Sequence, residues 1–372
     1  MVVRRAGHGF SKQVGQLLII GVDGTAVTPR LRTLLEQVQP AGVILFARNI
    51  VDAQQTHQLL KDCRAALKVP IFTCVDMEGG QVDRLRDVFG PTPSAADVFA
   101  SGDERLFKKH GKLIGKACRM IGFNLDFAPV VDLAFPASQK VMSTRAVSAD
   151  SEQVALYARK FLQGLRWEGV LGAIKHFPGL GEANLDTHHE LPQVDKSWER
   201  LWAEDLVPYR RLRRQAPLVL VGHASYPAVT QDALPASLSG RWISDILREE
   251  IGYRGLVISD DLEMGAILKA APIEEPAVAH IQAGGDLCLV CHREENVIRA
   301  YEALRRAVAR DADFAERVEE SARRVLTFKK QCSGLGRKAP APTAAKVRTF
   351  SRQLWEFSEQ VRLETIRRQA EV

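Results

Sequence analysis

Short runs of apolar residues, each closed by a polar one, recur along the whole chain. They are GQLLIIGVD (15–23), AGVILFAR (41–48), VPIFTCVD (69–76), NLDFAPVVD (124–132), VLGAIKH (170–176), APLVLVGH (216–223), GLVISDD (255–261) and DLCLVCH (286–292). Runs this continuous suit strands buried on both faces, as in a parallel sheet. Between them lie stretches whose apolar residues recur every three or four positions, such as SEQVALYARKFLQGLRWEG and SGRWISDILREEIG, the latter with Ser239 placed as a cap. Eight strand-then-helix units predict an α/β fold, a (β/α)8 TIM barrel. After Cys332 the sequence GLGRKAPAPTAAK reads as a linker, followed by an amphipathic segment. The expected organisation is therefore a barrel domain over residues 1–332, a linker over 333–346 and a C-terminal helix over 347–372 that docks on the barrel or a partner.

Almost every run ends in a polar or ionisable residue: Asp23, Arg48, Asp76, Asp132, Lys175 with His176, His223, Asp260 with Asp261, and His292. A barrel carries its active site at that face, built from strand ends and the loops after them. So dense a set predicts an enzyme acting on a polar small molecule. Asp23 and Asp132 serve equally well as helix caps or partners of an arginine, and His292 reads as a packed or exposed residue rather than a ligand. Two connections are long enough for lids or specificity loops: 76–124, with MEGGQVDRLR, and 176–216, which opens FPGLGEANLDTHHELPQVD.

Composition narrows the classes. Of 372 residues 46% are apolar and 26% charged, which excludes disorder, collagen and a disulfide mini-scaffold. The net charge of +6 is spread along the chain, and the densest basic stretch, near Arg210–Arg214, is flanked by acidic and apolar residues. It reads as a solvated helix face, and no nucleic-acid partner is expected. The apolar run near the N-terminus is too short to span a bilayer and is followed directly by Asp23, so neither a signal peptide nor a membrane partner is expected. A cytoplasmic protein is expected, its six cysteines as free thiols rather than a disulfide framework, and a monomer is the expected state although the sequence does not determine it. The CLVCH at 288–292 matches a haem-attachment pattern but lies in a Val/Leu run, so it reads as core strand.

The loop KHFPGLGEANLDTHHELP places Asp186 and His188 at D-x-H spacing. A carboxylate beside an imidazole favours the charged ring and fixes its tautomer, which suits a general acid/base near neutral pH. A second carboxylate from an opposite strand, in VISDDLEM, could attack an electrophilic carbon.

From about Gln16 to Lys330 the chain resembles glycoside hydrolase family 3, and within it the bacterial β-N-acetylglucosaminidases of peptidoglycan recycling. QLLIIGVDG, GVILFARN, VDMEGGQVDRLR, NLDFAPVVDL, KHFPG-G with D-x-H, PASLS, RGLVISDDLEM and AGGDLCLV occur in that order. The resemblance implies a retaining double displacement in which Asp260 is the nucleophile and His188, partnered by Asp186, is the acid/base. It implies that Asp76, Lys175 and His176 hold sugar hydroxyls, and that Arg145 is the substrate arginine. Arg84 and His223 line the pocket or brace it. No metal or organic cofactor is implied, and the expected substrate is a GlcNAc-containing saccharide or muropeptide.

Read on their own, some of these residues keep other roles. Arg145 also fits a surface ion pair, and if Asp186 only caps a loop the acid would be Glu190 or Glu182. Alternation along a strand sends Asp260 and Asp261 to opposite faces, so Asp261 is expected to pair with a neighbour away from the sugar. The family's usual KHFPGHG carries Leu180 at its second histidine, and D-S-H becomes Asp186-Thr187-His188. A β-glucosidase or phosphorylase of the family, a binding module without turnover, and a metal hydrolase using His176, His188 and His223 remain alternatives.

Overall fold

The computed structural model describes residues 11–183, 191–332, 334–335 and 339–371. Among them the strands are β1 (Leu18–Gly21), β2 (Gly42–Ile44), β3 (Phe72–Val75), β4 (Met77–Gly79), β5 (Val82–Asp83), β6 (Leu125–Asp126), β7 (Leu171–Phe177), β8 (Leu218–Val221), β9 (Leu256–Asp261) and β10 (Leu287–Val290). Eight of these close into a parallel barrel in the order β1-β2-β3-β6-β7-β8-β9-β10, with β10 returning to β1. The fold is a (β/α)8 barrel, and β4 and β5 form a small antiparallel hairpin just after β3.

Alternation explains why the strand runs are apolar throughout. Ile19, Ile44, Phe72, Cys74, Leu125, Ala173, Leu218, Leu220, Leu256, Ile258, Leu287 and Leu289 fill the interior as one cluster. Their neighbours Leu18, Ile20, Val43, Val75, Ile174, Val219 and Val257 face the surrounding helices instead. With both faces buried the ionisable residues gather towards the strand ends, and the polar residues inside the strands, Thr73 and Ser259, are buried with hydrogen bonds to the Gly122 carbonyl and from the Leu289 amide.

Helix starts follow cap chemistry. Asp150 Oδ1 accepts the amides of Glu152 and Gln153 to open Ser151–Trp167, and Asp311 does the same for Ala312–Gln331. Ser239 is not a cap: the helical segment Arg241–Glu250 begins after Gly240 with no side-chain cap, and it is the Ser239 carbonyl that accepts the Ile243 amide. The helix Ala312–Gln331 lends Val325 and Phe328 to the barrel's inner cluster. Its Lys329 reaches Gln16 Oε1 at 2.9 Å and lies over the Phe72 ring.

The final helix spans Ala344–Ala370 and buries Phe350, Leu354, Phe357 and Val361, one face at helical spacing. Phe350 meets Phe89 edge-on with centroids 5.0 Å apart, and Phe357 stacks on His110 at 5.9 Å, so this helix docks on the barrel's own helices. No helix among the described residues is long and apolar enough to cross a membrane.

Candidate active site

A cavity of about 440 Å³ opens at the C-terminal ends of the strands, the size of a small-ligand site. Of the expected residues Asp76, Arg84, Arg145, Lys175, His176 and Asp260 line it. His223 lies behind the wall, and Asp186 and His188 fall outside the described residues.

The hairpin after β3 builds one side. Gly79 and Gly80 turn it with φ of +89° and +60°, and a Cβ at Gly79 would sit 2.3 Å from the Pro93 carbonyl, so the EGG of the sequence is a steric requirement. The buried Asp126 accepts the Met77 amide at 2.9 Å and Asp83 accepts the amide and hydroxyl of Thr92, fixing both hairpin strands.

This places Glu78, which carries the charge network of the site. Arg145 grips it through two bonds of 2.8 and 2.9 Å. Lys175 Nζ reaches Glu78 at 2.7 Å and Asp76 at 2.8 Å. Burial works against the charge on Glu78, but Arg145 and Lys175 outweigh it and hold the carboxyl well below its ordinary range. Burial likewise opposes the ammonium of Lys175, and Asp76 and Glu78 more than compensate, raising its pKa. Glu78, Lys175 and Arg145 are thereby held in their charged forms, and the network presents fixed donors and acceptors for hydroxyls. Arg145, which also fitted a surface pair, is an inner member of this network.

His176 is oriented from behind. Its Nδ1 lies 2.7 Å from Asp132 Oδ2, so Nδ1 carries the proton and donates to the carboxylate. Asp132 also accepts the Leu180 amide at 2.7 Å. His223 is fully buried, with Nε2 donating to the Asp261 carbonyl at 2.9 Å and Nδ1 accepting from the Ser237 hydroxyl at 2.7 Å. Burial lowers its pKa despite the nearby Asp260, so the ring is neutral and serves as a brace for the backbone beside Asp260.

Asp260 stands at the end of β9 and accepts the Asp261 amide at 2.8 Å. Burial opposes its charge, yet His176, that amide and Lys175 together hold its carboxyl below the usual value. It is an anion in a partly enclosed cavity, the form a nucleophile or an electrostatic stabiliser requires.

The alternation argument fails at this point. Ile258 pairs with Leu287 and Asp261 with Leu289, three residues on β9 against two on β10. This bulge lets both Asp260 and Asp261 line the cavity. Asp261 does have a partner: its Oδ2 lies 3.0 Å from His292 Nε2 and its Oδ1 accepts the Glu263 amide. The Asp261 hydrogen bond raises the His292 pKa.

Glu78 and Ser237 are structural keys that the sequence reading did not assign to the site, while Asp132, a strand-end residue that fitted a cap or an arginine's partner equally well, pairs with His176 instead. Glu78 could have been noticed as the acid inside MEGG, and Ser237 as the serine of PASLS. Asp23 lines a separate depression of about 250 Å³ instead of the cavity. Arg84 lines the cavity, with its buried Nε lacking a hydrogen-bond partner among the described residues.

The described ends of the 176–216 connection are firmly tied. Tyr226 donates to the Gly179 carbonyl at 2.7 Å, and the buried Lys196 bonds Asp205 and Glu204, both at 2.5 Å. Leu180 is buried in the wall, where its amide, not its side chain, makes the polar contact.

Residues 10–328 match the family model described as "Glycosyl hydrolase family 3 N terminal domain". The chain belongs to glycosyl hydrolase family 3. As a family 3 member it is a glycoside hydrolase acting on O-glycosyl bonds. Among its relatives, the β-hexosaminidase of Stenotrophomonas maltophilia (strain K279a) is 38% identical over 285 residues, covering 75% of this chain and 84% of that one. That of Xanthomonas oryzae pv. oryzae (strain KACC10331 / KXO85) is 39% identical over the same shares. The solved family 3 β-N-acetylglucosaminidase from Paenibacillus sp. str. FPU-7 superposes with a TM-score of 0.87 at 32% identity, covering 94% of this chain and 68% of that one. The β-N-acetylglucosaminidase from Thermotoga maritima gives 0.75 at 27% identity, covering 90% and 69%.

Proposed function

We propose that this family 3 hydrolase is an exo-acting, retaining β-N-acetylglucosaminidase that removes terminal GlcNAc from muropeptide fragments in the cytoplasm. The Asp260 carboxylate attacks the anomeric carbon while His188, oriented by Asp186, protonates the glycosidic oxygen, and the aglycone leaves. Water then attacks the glycosyl ester, giving its proton to His188, and Asp260 departs as a carboxylate. In the ester state the nucleophile is neutral, and an imidazole accepts the water proton without adding another buried anion. Asp76, Lys175, Arg145 and His176 hold the ring hydroxyls. The two catalytic side chains need no metal or organic cofactor.

The observation that carries this reading is the charged Asp260 in a cavity also lined by the Asp76–Lys175–Glu78–Arg145 network. The acetamido sugar is favoured by the relatives, which are named β-hexosaminidases and β-N-acetylglucosaminidases. The test is release of 4-nitrophenol from the β-N-acetylglucosaminide and the β-glucoside in phosphate-free buffer. Turnover of the acetamido sugar, lost in Asp260→Ala and partly restored by azide with formation of a glycosyl azide, is the expected outcome. Turnover only on adding phosphate would make the protein a phosphorylase, and none under either condition by the folded protein would leave a binding role.

A further inference from the structure

Depth orders the polar groups of the cavity. Glu78 and Lys175 are almost fully buried, whereas His292 is about half exposed on the cavity wall and the exposed Arg48 stands behind it, against His292 and Phe46. An exo-acting enzyme seats the terminal sugar at the deep end, so groups at the mouth face the aglycone.

Arg48 is presented by a rigid turn. The fully buried Asn49 accepts the Phe46 amide with its Oδ1 and donates from Nδ2 to the carbonyls of Val22 and Gly24, at 2.9 and 2.8 Å. The Arg48 guanidinium lies 4.6 Å from the Phe46 ring centroid, donates from Nη2 to the Cys291 carbonyl at 2.6 Å, and sets Nη1 3.4 Å from His292 Nδ1. His292 is itself fixed, by Asp261 at 3.0 Å and by stacking on Phe46. Phe46 and His292 both line the cavity.

The charges around it leave Arg48 unspent. Asp76 and Glu78 are taken by Lys175 and Arg145, and Asp261 by His292 and an amide. Glu263 is capped by the amides of His292 and Arg293 and by Asn296 Nδ2. No carboxylate pairs with Arg48 among the described residues, and its guanidinium keeps further N–H groups unused there. A fixed, preorganised fork of this kind matches a carboxylate in two parallel hydrogen bonds.

We propose that Arg48, held by His292, Phe46 and the Cys291 carbonyl, is the carboxylate-binding group of an aglycone subsite, selecting acidic saccharides. The inference rests on the hydrolase reading for the direction of the substrate. The experiment compares 4-nitrophenyl and 3-carboxy-4-nitrophenyl β-N-acetylglucosaminides with the full chain and its Arg48→Met variant. The variant loses about ten-fold more kcat/KM on the carboxylated substrate than on the neutral one, chiefly through KM. Equal losses on the two substrates overturn the subsite.

A binding arm separates this from the activity itself. In the Asp260→Ala background, calorimetry with the same two glycosides gives about ten-fold weaker binding of the carboxylated one when Arg48→Met is added, and no such gap for the neutral one. If no glycoside is hydrolysed by the unaltered chain yet this gap is present, the subsite stands and the hydrolase reading falls. If the gap is absent, the subsite falls whatever the turnover.

Discussion

Asp132 Oδ2 lies 2.7 Å from His176 Nδ1, at the bottom of the site and shielded from solvent. The same carboxylate accepts the amides of His176 and Leu180, so one side chain fixes a ring that lines the cavity and the first turn of the loop that follows. Asp132→Ala removes all three bonds while leaving every cavity-lining side chain in place. The expected result is a loss of about 10–100-fold in kcat/KM, the usual scale for groups that orient a functional histidine. Steady-state kinetics on the aryl N-acetylglucosaminide check this, with a thermal melt to confirm folding. Unchanged kinetics would show that the ring needs no such support.

Glu78 is the hinge of the charge network, because Arg145 and Lys175 both depend on it. Glu78→Gln leaves two buried cations sharing the single carboxylate of Asp76, a defect that costs about 3–5 kcal/mol. The folded pKa of Glu78 is depressed, so its contribution is present above the unfolded value of 4.5 and is lost as pH falls through the folded one. Thermal unfolding therefore shows the largest gap between variant and parent at neutral pH, narrowing below pH 4.5. A gap independent of pH would mean that the network is held by packing rather than charge.

These two residues mark what a linear reading could and could not find. The eight apolar runs located every barrel strand, because burial on both faces leaves a continuous apolar signature in the chain itself. Their polar ends located most of the cavity wall for the same reason. Pairing is not written locally: Arg145 and Glu78 are 67 positions apart, and either looks like an ordinary surface ion until the hairpin and the turn before Ala146 bring them together. The bulge that turns Asp260 and Asp261 onto one wall is a matter of register between β9 and β10, which alternation within a single strand cannot reveal.

Lys329 is buried at the base of the barrel, against the Phe72 ring with Gln16 as its hydrogen-bond partner. Burial pulls its pKa down to about 7, while the Cys74 thiol acts weakly the other way. The unfolded chain holds this proton up to about pH 10.5, so the folded state is penalised as pH falls from 10.5 towards 7. Lys329→Met removes the penalty at little cost in volume. The variant melts higher than the parent at pH 7, by a few kcal/mol of stability, and the advantage shrinks towards pH 10. A lower melting temperature at both pH values would show that the ammonium stays charged against the ring and contributes favourably.

Asp126 presents the opposite case among the acids. It is fully buried under the hairpin, one oxygen holding the Met77 amide and the other without a hydrogen-bond partner among the described residues. Burial raises its pKa well above 3.8; the Met77 amide and Lys175 oppose this, and Asp76 and Glu78 add to it. Burial therefore favours the neutral carboxyl. Because the folded pKa is raised, the stability linked to this proton is complete below pH 3.8 and declines as pH rises towards the folded value. Asparagine copies the neutral acid and can still accept the Met77 amide. Asp126→Asn is therefore more stable than the parent at pH 7, with the difference vanishing near pH 4. Asp126→Leu leaves the Met77 amide unpaired and is destabilised at both pH values by about 1–3 kcal/mol. Melting curves of the two variants at pH 4 and 7 decide the matter: an asparagine variant less stable than the parent at pH 7 would mean that Asp126 is ionised and tied electrostatically to Lys175.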